Sequence, residues 1–195
     1  LGRSYGDAAL NAAGGVISFA RLNRFLSFDS ESGVLECEAG VSLSEILDFC
    51  LPRGLVPAVV PGTQSVTLGG AIAADVHGRN HRGDGAFARG IVDMKLLAPT
   101  GAVLACSAEK EAEVFWATAG GMGLTGLILS ARLRLRKMET SYLRVEYRRT
   151  KDLDDTLAQL AQFDTRYPYT AAWLDGFSSG PATGRGVVMG ARHAV

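Results

Sequence analysis

The chain has 195 residues, 47% of them hydrophobic and 21% charged, which suits a globular protein with a sizeable core and excludes a disordered one. Its 20 Lys plus Arg are balanced by 20 Asp plus Glu, so no global field draws it onto nucleic acid or an acidic surface, and any anion binding has to be local. Three cysteines, Cys37, Cys50 and Cys106, are odd in number and lack a C-x-x-C pair, which argues against a disulfide framework or zinc knuckle and suits a reducing compartment.

No apolar run reaches the roughly 20 residues of a membrane span, and no basic start precedes an apolar stretch as in a signal peptide. The 24 glycines cluster near residues 2–15, 62–90 and 120–126 without forming a repeat, which points to several loops where backbone comes close to a partner. The chain opens at Leu1 inside such a loop and stops at Val195 in an unfinished pattern, as expected of a piece of a longer protein.

The first loop, Leu1-Gly2-Arg3-Ser4-Tyr5-Gly6-Asp7, sets two glycines around an Arg and a Ser and could wrap a phosphate with N–H groups and a hydroxyl. An ordinary polar turn has the same local pattern. Gly14-Gly15 leads into Val16-Ile17-Ser18-Phe19, predicted as a short buried strand, and residues 22–25 run into a second. Residues 34–39 largely alternate apolar and acidic side chains, which predicts a strand with Cys37 in the core. Ser42 and Glu45 form an S-x-x-E capping box for a helix carrying Leu43, Ile46, Leu47, Cys50 and Leu51, ended by Pro52 and Gly54. A compact strand over residues 55–60 then runs into Pro61-Gly62.

The following stretch, Thr63-Gln64-Ser65-Val66-Thr67-Leu68-Gly69-Gly70-Ala71-Ile72-Ala73-Ala74-Asp75-Val76-His77-Gly78-Arg79-Asn80-His81, organises the chain. Its helix has a face too small to fill a core and is shaped to lie against something flat or another backbone. Free N–H groups at its start suit an anion. His77 and His81 are four apart with Asp75 nearby, but Gly78 between them disfavours a shared helix face, and no metal is expected.

Residues 91–97 and 102–104 flank Pro99-Thr100-Gly101 as a hairpin, and a helix is predicted from Ser107 through Glu111 to Ala119. After Gly120-Gly121-Met122-Gly123-Leu124-Thr125-Gly126, a strand alternates Leu127, Leu129, Ala131, Leu133 and Leu135 with Arg132, Arg134 and Arg136. With zero net charge this arginine row reads as a solvated face and not a nucleic-acid contact. From Thr140 the character changes. A strand over residues 142–149, a helix over 153–163 with Leu153, Leu157, Leu160 and Ala161 inward, a strand over 170–174 and another over 186–189 open a second domain. The division is 1–138 and 139–195.

Gly121 to Gly126 match G-x-G-x-x-G, yet the predicted order is helix, glycines, strand, whereas a Rossmann site needs strand, glycines, helix. There is no P-loop and no G-x-S-x-G elbow. What remains is a set of glycine loops able to converge on an elongated, anionic, partly aromatic ligand, the shape of a flavin dinucleotide.

Three motifs in order resemble the FAD-linked oxidases of the vanillyl-alcohol oxidase and p-cresol methylhydroxylase family: Gly2-Arg3-Ser4-Tyr5-Gly6-Asp7, then Pro61-Gly62-Thr63 with residues 67–78, then residues 120–128. Within that family the pattern is most like the branch that oxidises decaprenylphosphoryl ribose, on residues 1–7, residues 61–81 with Arg79 in place of a lysine, Val114-Phe115-Trp116-Ala117-Thr118 and Ala171-Ala172-Trp173. The resemblance implies an α+β fold: an FAD-binding PCMH-type domain of two α+β subdomains, its first strand missing, followed by the start of a substrate (cap) domain. It implies that Gly2, Arg3, Ser4, Tyr5, Gly6, Asp7 and Ala8 wrap the FAD pyrophosphate and that Gly62, Thr67, Leu68, Gly69 and Gly70 line it. Ala74, Asp75, Val76 and His77 would approach the cofactor, and the Ile128 backbone would meet the adenine side.

Relatives with covalent flavin often carry a His where this chain has Tyr5, so non-covalent FAD is expected. The implied reaction is hydride removal from a sugar CH–OH to flavin N5, the keto sugar passing to a partner short-chain reductase that returns arabinose for cell-wall arabinan. Tyr5 and His77 are the candidate catalytic residues. Arg79, His81 and Arg82 are candidates for the sugar or polyprenyl-phosphate substrate, and a solvated loop is the plain alternative for His81 and Arg82. A cytoplasmic protein, peripheral to the inner membrane face, would fit that substrate. An aldonolactone or alditol oxidase, or a flavin-binding module without catalysis, are the competing readings, and the 195-residue piece alone is expected to be inactive.

Overall fold

Asp29 builds the first hairpin of the computed structural model, which describes residues 2–7 and 10–194. Its carboxylate accepts the N–H groups of Glu31 and Ser32 and the Ser32 hydroxyl, and Gly33 at φ +67° completes the turn between β1 (Phe25–Asp29) and β2 (Val34–Glu38). Ser42 and Glu45 form the predicted reciprocal capping box at the start of α1 (Leu43–Cys50). A 3-10 turn and Gly54 at φ +67° then release the chain into β3 (Leu55–Pro57).

By its contacts the chain divides into two units, one formed by the residues up to Gly78 with Ala86–Lys137, the other by Arg79–Gly85 and the chain from Met138. In the first, β4 (Ile91–Leu97) and β5 (Val103–Cys106) form the expected hairpin, and the antiparallel sheet runs β1-β2-β6-β4-β5, with β3 paired to the far end of β6 (Leu127–Lys137). Helices α1, α2 (Leu68–Ala73) and α4 (Ala112–Thr118) bring Leu43, Ile46, Ile72 and Phe115 into one buried cluster with Leu35, Met94, Leu96 and Leu133 from the strands. Each large side chain so buried contributes on the order of 1.5–3 kcal/mol. Cys37, Cys50 and Cys106 are free thiols, all buried.

Three expectations change here. Residues 16–19 do not form a buried strand: Val16 and Ile17 are 85% and 67% exposed, because the β2 edge is already taken by β1 and only Phe19 reaches the core. Ser107 caps a tight turn by accepting the N–H groups of Glu109 and Lys110, so α4 starts only at Ala112, after Glu111 in the left-handed region at φ +51°. The single alternation expected along β6 is broken where Leu129 is left unpaired opposite the consecutive Lys95 and Leu96. Ala131, Leu133 and Leu135 are buried as expected, but Ile128 and Ser130 are buried in place of Leu127 and Leu129. Arg132 on the outer face forms a forked ion pair with Asp93.

The second unit holds the one-turn α3 (His81–Asp84) and an antiparallel sheet ordered β7-β9-β8, with β7 (Leu143–Thr150), β8 (Tyr169–Leu174), β9 (Gly186–His193) and α5 (Leu153–Arg166). Asp152 caps α5 by accepting the Asp155 N–H at 2.8 Å. The buried face of α5 is Thr156 and Phe163, not the expected one, and Leu153 and Leu157 are 43% and 56% exposed. Gly190 is the cause, since a Cβ there would come within 2.8 Å of the Phe163 ring and 2.3 Å of Tyr167. Both sheets with their helices make the α+β class the sequence implied. No helix among the described residues is long and apolar enough to cross a membrane.

Candidate cofactor site

The glycines of α2 act through what they lack. A Cβ on Gly69 would sit 2.9 Å from the Ala39 Cβ and 3.2 Å from the Ala39 carbonyl oxygen, so only a bare residue lets α2 lie on the end of β2. Thr67 caps the helix, its hydroxyl accepting the Gly70 N–H at 3.2 Å, while Leu68 N–H donates to Val41 O at 2.7 Å and Gly69 N–H to Ala39 O at 2.8 Å. The free donors expected at this helix start are therefore taken within the fold. The α2 glycines offer a flat, close wall instead of an anion hole.

That wall faces a cavity of about 460 Å³, within the range of small-molecule sites. Thr67, Gly69, Gly70 and Ala73 form one side, Ala39 and Gly40 the floor, and Gly123, Gly126, Leu127 and Ile128 the mouth of β6. The opposite side is the irregular segment 16–20. The 120–126 loop is fastened to the end of α2, with Gly120 N–H on Ile72 O at 3.0 Å and Met122 N–H on Ala73 O at 2.8 Å. Buried Thr118 supports it from below, its hydroxyl 2.9 Å from that of Thr125. Gly126, at φ +145° and with the Leu97 carbonyl oxygen 2.4 Å from where a Cβ would be, admits no side chain.

Such a cradle, mostly apolar and with glycines in the α2 wall, the floor and the mouth, fits a flat heteroaromatic ring and its ribose. A pyrophosphate needs donors, and the loop of residues 2–7 has them. Gly2 and Gly6 both stand at φ +62°, and none of the loop's N–H groups is bonded among the described residues. Its residues Arg3, Ser4, Tyr5 and Asp7 are exposed, Tyr5 by 97%. Ala8 lies outside the described residues.

Of the residues named from the sequence, the structure gathers Thr67, Gly69, Gly70 and Ile128 around this cavity. Leu68 is wholly buried in the core, and Gly62 stands open on the surface with nothing within 4 Å of a Cβ. Ala74 caps α2, and the turn after it is stitched to the next segment. Asp75, at φ +39°, accepts the Ala88 N–H at 2.9 Å, Val76 O accepts from Phe87, and His77 bridges to Ala86 with its side chain exposed. Arg79, His81 and Arg82 belong to the second unit. Arg79 O accepts the Thr170 N–H, exposed His81 opens α3, and Arg82 pairs with Asp164 at 3.5 Å. Among the described residues no cluster of His, Cys, Asp or Glu could hold a metal ion.

Sequence reasoning missed the 16–20 wall and the Ala39-Gly40 floor. Gly40 directly after an alternating strand was the available signal, because a Cβ there would be 2.3 Å from Phe19 O.

With this geometry in place, comparison with known proteins is direct. Residues 1–107 match the family described as FAD binding domain. The chain is 42% identical over 190 residues, 96% of its length, to decaprenylphosphoryl-β-D-ribose oxidase of Mycolicibacterium smegmatis, covering 41% of that protein. It is 42% identical over 154 residues, 79% of its length, to an uncharacterised protein of Streptomyces coelicolor, covering 41% of it. To L-gulonolactone oxidase of Bos taurus it is 32% identical over 121 residues, 62% of its length and 27% of that enzyme. The chain thus spans about two fifths or less of the curated relatives it matches.

Proposed function

The chain belongs to the FAD binding domain family, and from that premise we propose that it is the cofactor-holding part of an FAD-dependent oxidoreductase acting on a sugar CH–OH group. The substrate class we favour is a polyprenyl-phosphate ribose. The observation that carries this is the 42% identity, sustained over 96% of the chain, to an oxidase named for that kind of substrate. We take residues 1–138 as the cofactor domain and 139–195 as the opening of a substrate domain.

In this reading Thr67, Gly69, Gly70 and Ile128 hold the nucleoside end of FAD in the cavity, and the N–H groups of residues 2–7 together with Ser4 hold the pyrophosphate. Ala8 and Gly62 complete the proposed set, and Leu68, wholly buried in the core, supports α2 from behind. When bound, the flavin supplies a hydride acceptor for the alcohol carbon. Residues Ala74, Asp75 and Val76 position His77, because the Asp75 carboxylate and the bridge to Ala86 fix the turn that presents it. A fixed polar side chain there favours negative charge on a reduced ring. Tyr5 is the second proposed catalytic group, and with no His in its place the cofactor is held without a covalent bond.

Arg79, His81 and Arg82 are assigned to the substrate phosphate. The Arg82 side chain is 65% exposed and its pair with Asp164 is long, at 3.5 Å, so the pair is worth only about 1 kcal/mol and a phosphate can take the guanidinium from the carboxylate. A partner reductase and a peripheral place at the membrane's inner face follow as proposals from the same substrate class. The likeness to L-gulonolactone oxidase favours a second reading, an aldonolactone oxidase, in which Arg79 and Arg82 have no phosphate to hold. Substrate affinity of Arg79→Ala separates the two. A polyprenyl-phosphate ribose should bind about tenfold or more weakly to the variant, the size of a lost charge-assisted contact, and unchanged affinity would remove the arginine's role.

A further inference from the structure

The segment 16–20 is the one wall of the cavity without regular structure; Phe19 packs against the core, and the segment's hydrogen-bonded ties to the rest of the unit lie downstream of it. Glu38, with only 7% of its side chain exposed at the end of β2, holds Arg24 by four hydrogen bonds. Its Oε2 accepts the Arg24 N–H at 2.9 Å, its Oε1 accepts Nε at 3.1 Å and Nη2 at 2.7 Å, and its own N–H donates to Arg24 O at 2.9 Å. Two residues further on, Gly40 N–H donates to Leu22 O at 2.7 Å. Upstream, the backbone N–H groups of residues 11–19 donate to nothing among the described residues, and Leu10 reaches only back to Asp7. The wall is therefore a strap held at its downstream end against the Ala39-Gly40 floor, by the Phe19 ring packed on the core, the Gly40–Leu22 bond and the buried Glu38 carboxylate.

We propose that the Glu38–Arg24 clamp is a positioning device that sets the affinity of this domain for its dinucleotide by holding the 16–20 strap against the cavity. This rests on FAD being the occupant of the cavity. The strap's apolar side chains, Val16 and Ile17, gain a partner only when a ring lies between them and the α2 glycines. Anchored, the strap loses little freedom on closing over that ring; unanchored, it has to be ordered from a wider ensemble, and affinity falls. The forked guanidinium matters as well as its charge, because two parallel N–H donors fix the direction in which the strap leaves β2.

The test uses Arg24→Gln and Arg24→Lys in the full chain. Arg24 is 74% exposed on its side chain, so its replacement opens no cavity, and Arg24→Lys keeps a positive charge beside the buried Glu38 carboxylate. FAD binding is followed by flavin fluorescence, and strap closure by tryptic cleavage after exposed Arg21, a readout independent of turnover. The unmodified chain should bind FAD and be protected at Arg21 when loaded. Arg24→Gln should bind about tenfold more weakly, through faster release, and keep cleavage at Arg21 when the same fraction is loaded; Arg24→Lys should fall between. Lys95→Ala, which removes the exposed Lys95–Glu36 pair, serves as the control and should change neither readout. Equal FAD affinity and equal protection in Arg24→Gln would overturn the clamp. Failure of the unmodified chain itself to bind FAD would instead overturn the assignment of the cavity.

Discussion

At the scale of single residues, the cavity depends on side chains that glycine lacks and on charges that are paired. Gly69→Val places branched carbons into Ala39, and overpacking of this kind costs about 1–3 kcal/mol. Urea unfolding should show that loss, together with weakened FAD binding, whereas Gly62→Ala, in open space, should leave both unchanged. The pairing with Arg24 holds the Glu38 carboxyl below the usual glutamate range, through the guanidinium hydrogen bond first and the Arg24 N–H second. A carboxyl depressed in the folded state adds stability above its unfolded value, about 4.3, and loses that contribution as pH falls through the folded value. FAD affinity measured from pH 7 downward should therefore hold through pH 5 and drop in more acidic solution, and that clamp-dependent drop should be absent in Arg24→Gln. Burial pushes the Cys37 thiol up to about 12 and Cys50 to about 11, and raises Cys106. The thiolate is the reactive form, so an aromatic disulfide reagent should label none of the three in the native chain and all three after unfolding.

At the scale of elements, what could be read in the sequence was what local chemistry decides. The Ser42–Glu45 box, the turn at Gly101 and the strand around Cys37 each depend on neighbours a few residues away, and each stands where expected. Ser42→Ala should accordingly cost about 1 kcal/mol in a denaturant titration, the usual value of an N-cap. The misreadings come from distant partners. Val16 and Ile17 look like a core strand, but β1 already fills the edge they would pair with, and they serve a cavity instead. Leu153 and Leu157 look inward, yet Gly190, far along the chain, makes room for Phe163 and turns α5 the other way. The α2 glycines were legible as a close-approach surface, but not the consumption of their N–H groups, because Val41 and Ala39 supply the acceptors from another element.

At the scale of the whole molecule, the division into two units assigns His77 to one and Arg79, His81 and Arg82 to the other. Under the proposed assignment, cofactor handling and substrate handling are encoded a few residues apart, on either side of that division. The chain covers 41% of the sugar-phosphate oxidase it resembles, so the experiment that bears most directly on its function uses the full-length protein. Loaded with FAD and kept free of oxygen, it is mixed in turn with a polyprenyl-phosphate ribose and with L-gulono-1,4-lactone, while the oxidised-flavin absorbance is followed. The account predicts rapid bleaching by the polyprenyl-phosphate ribose and little by the lactone. Bleaching by the lactone alone, or by neither, would contradict it.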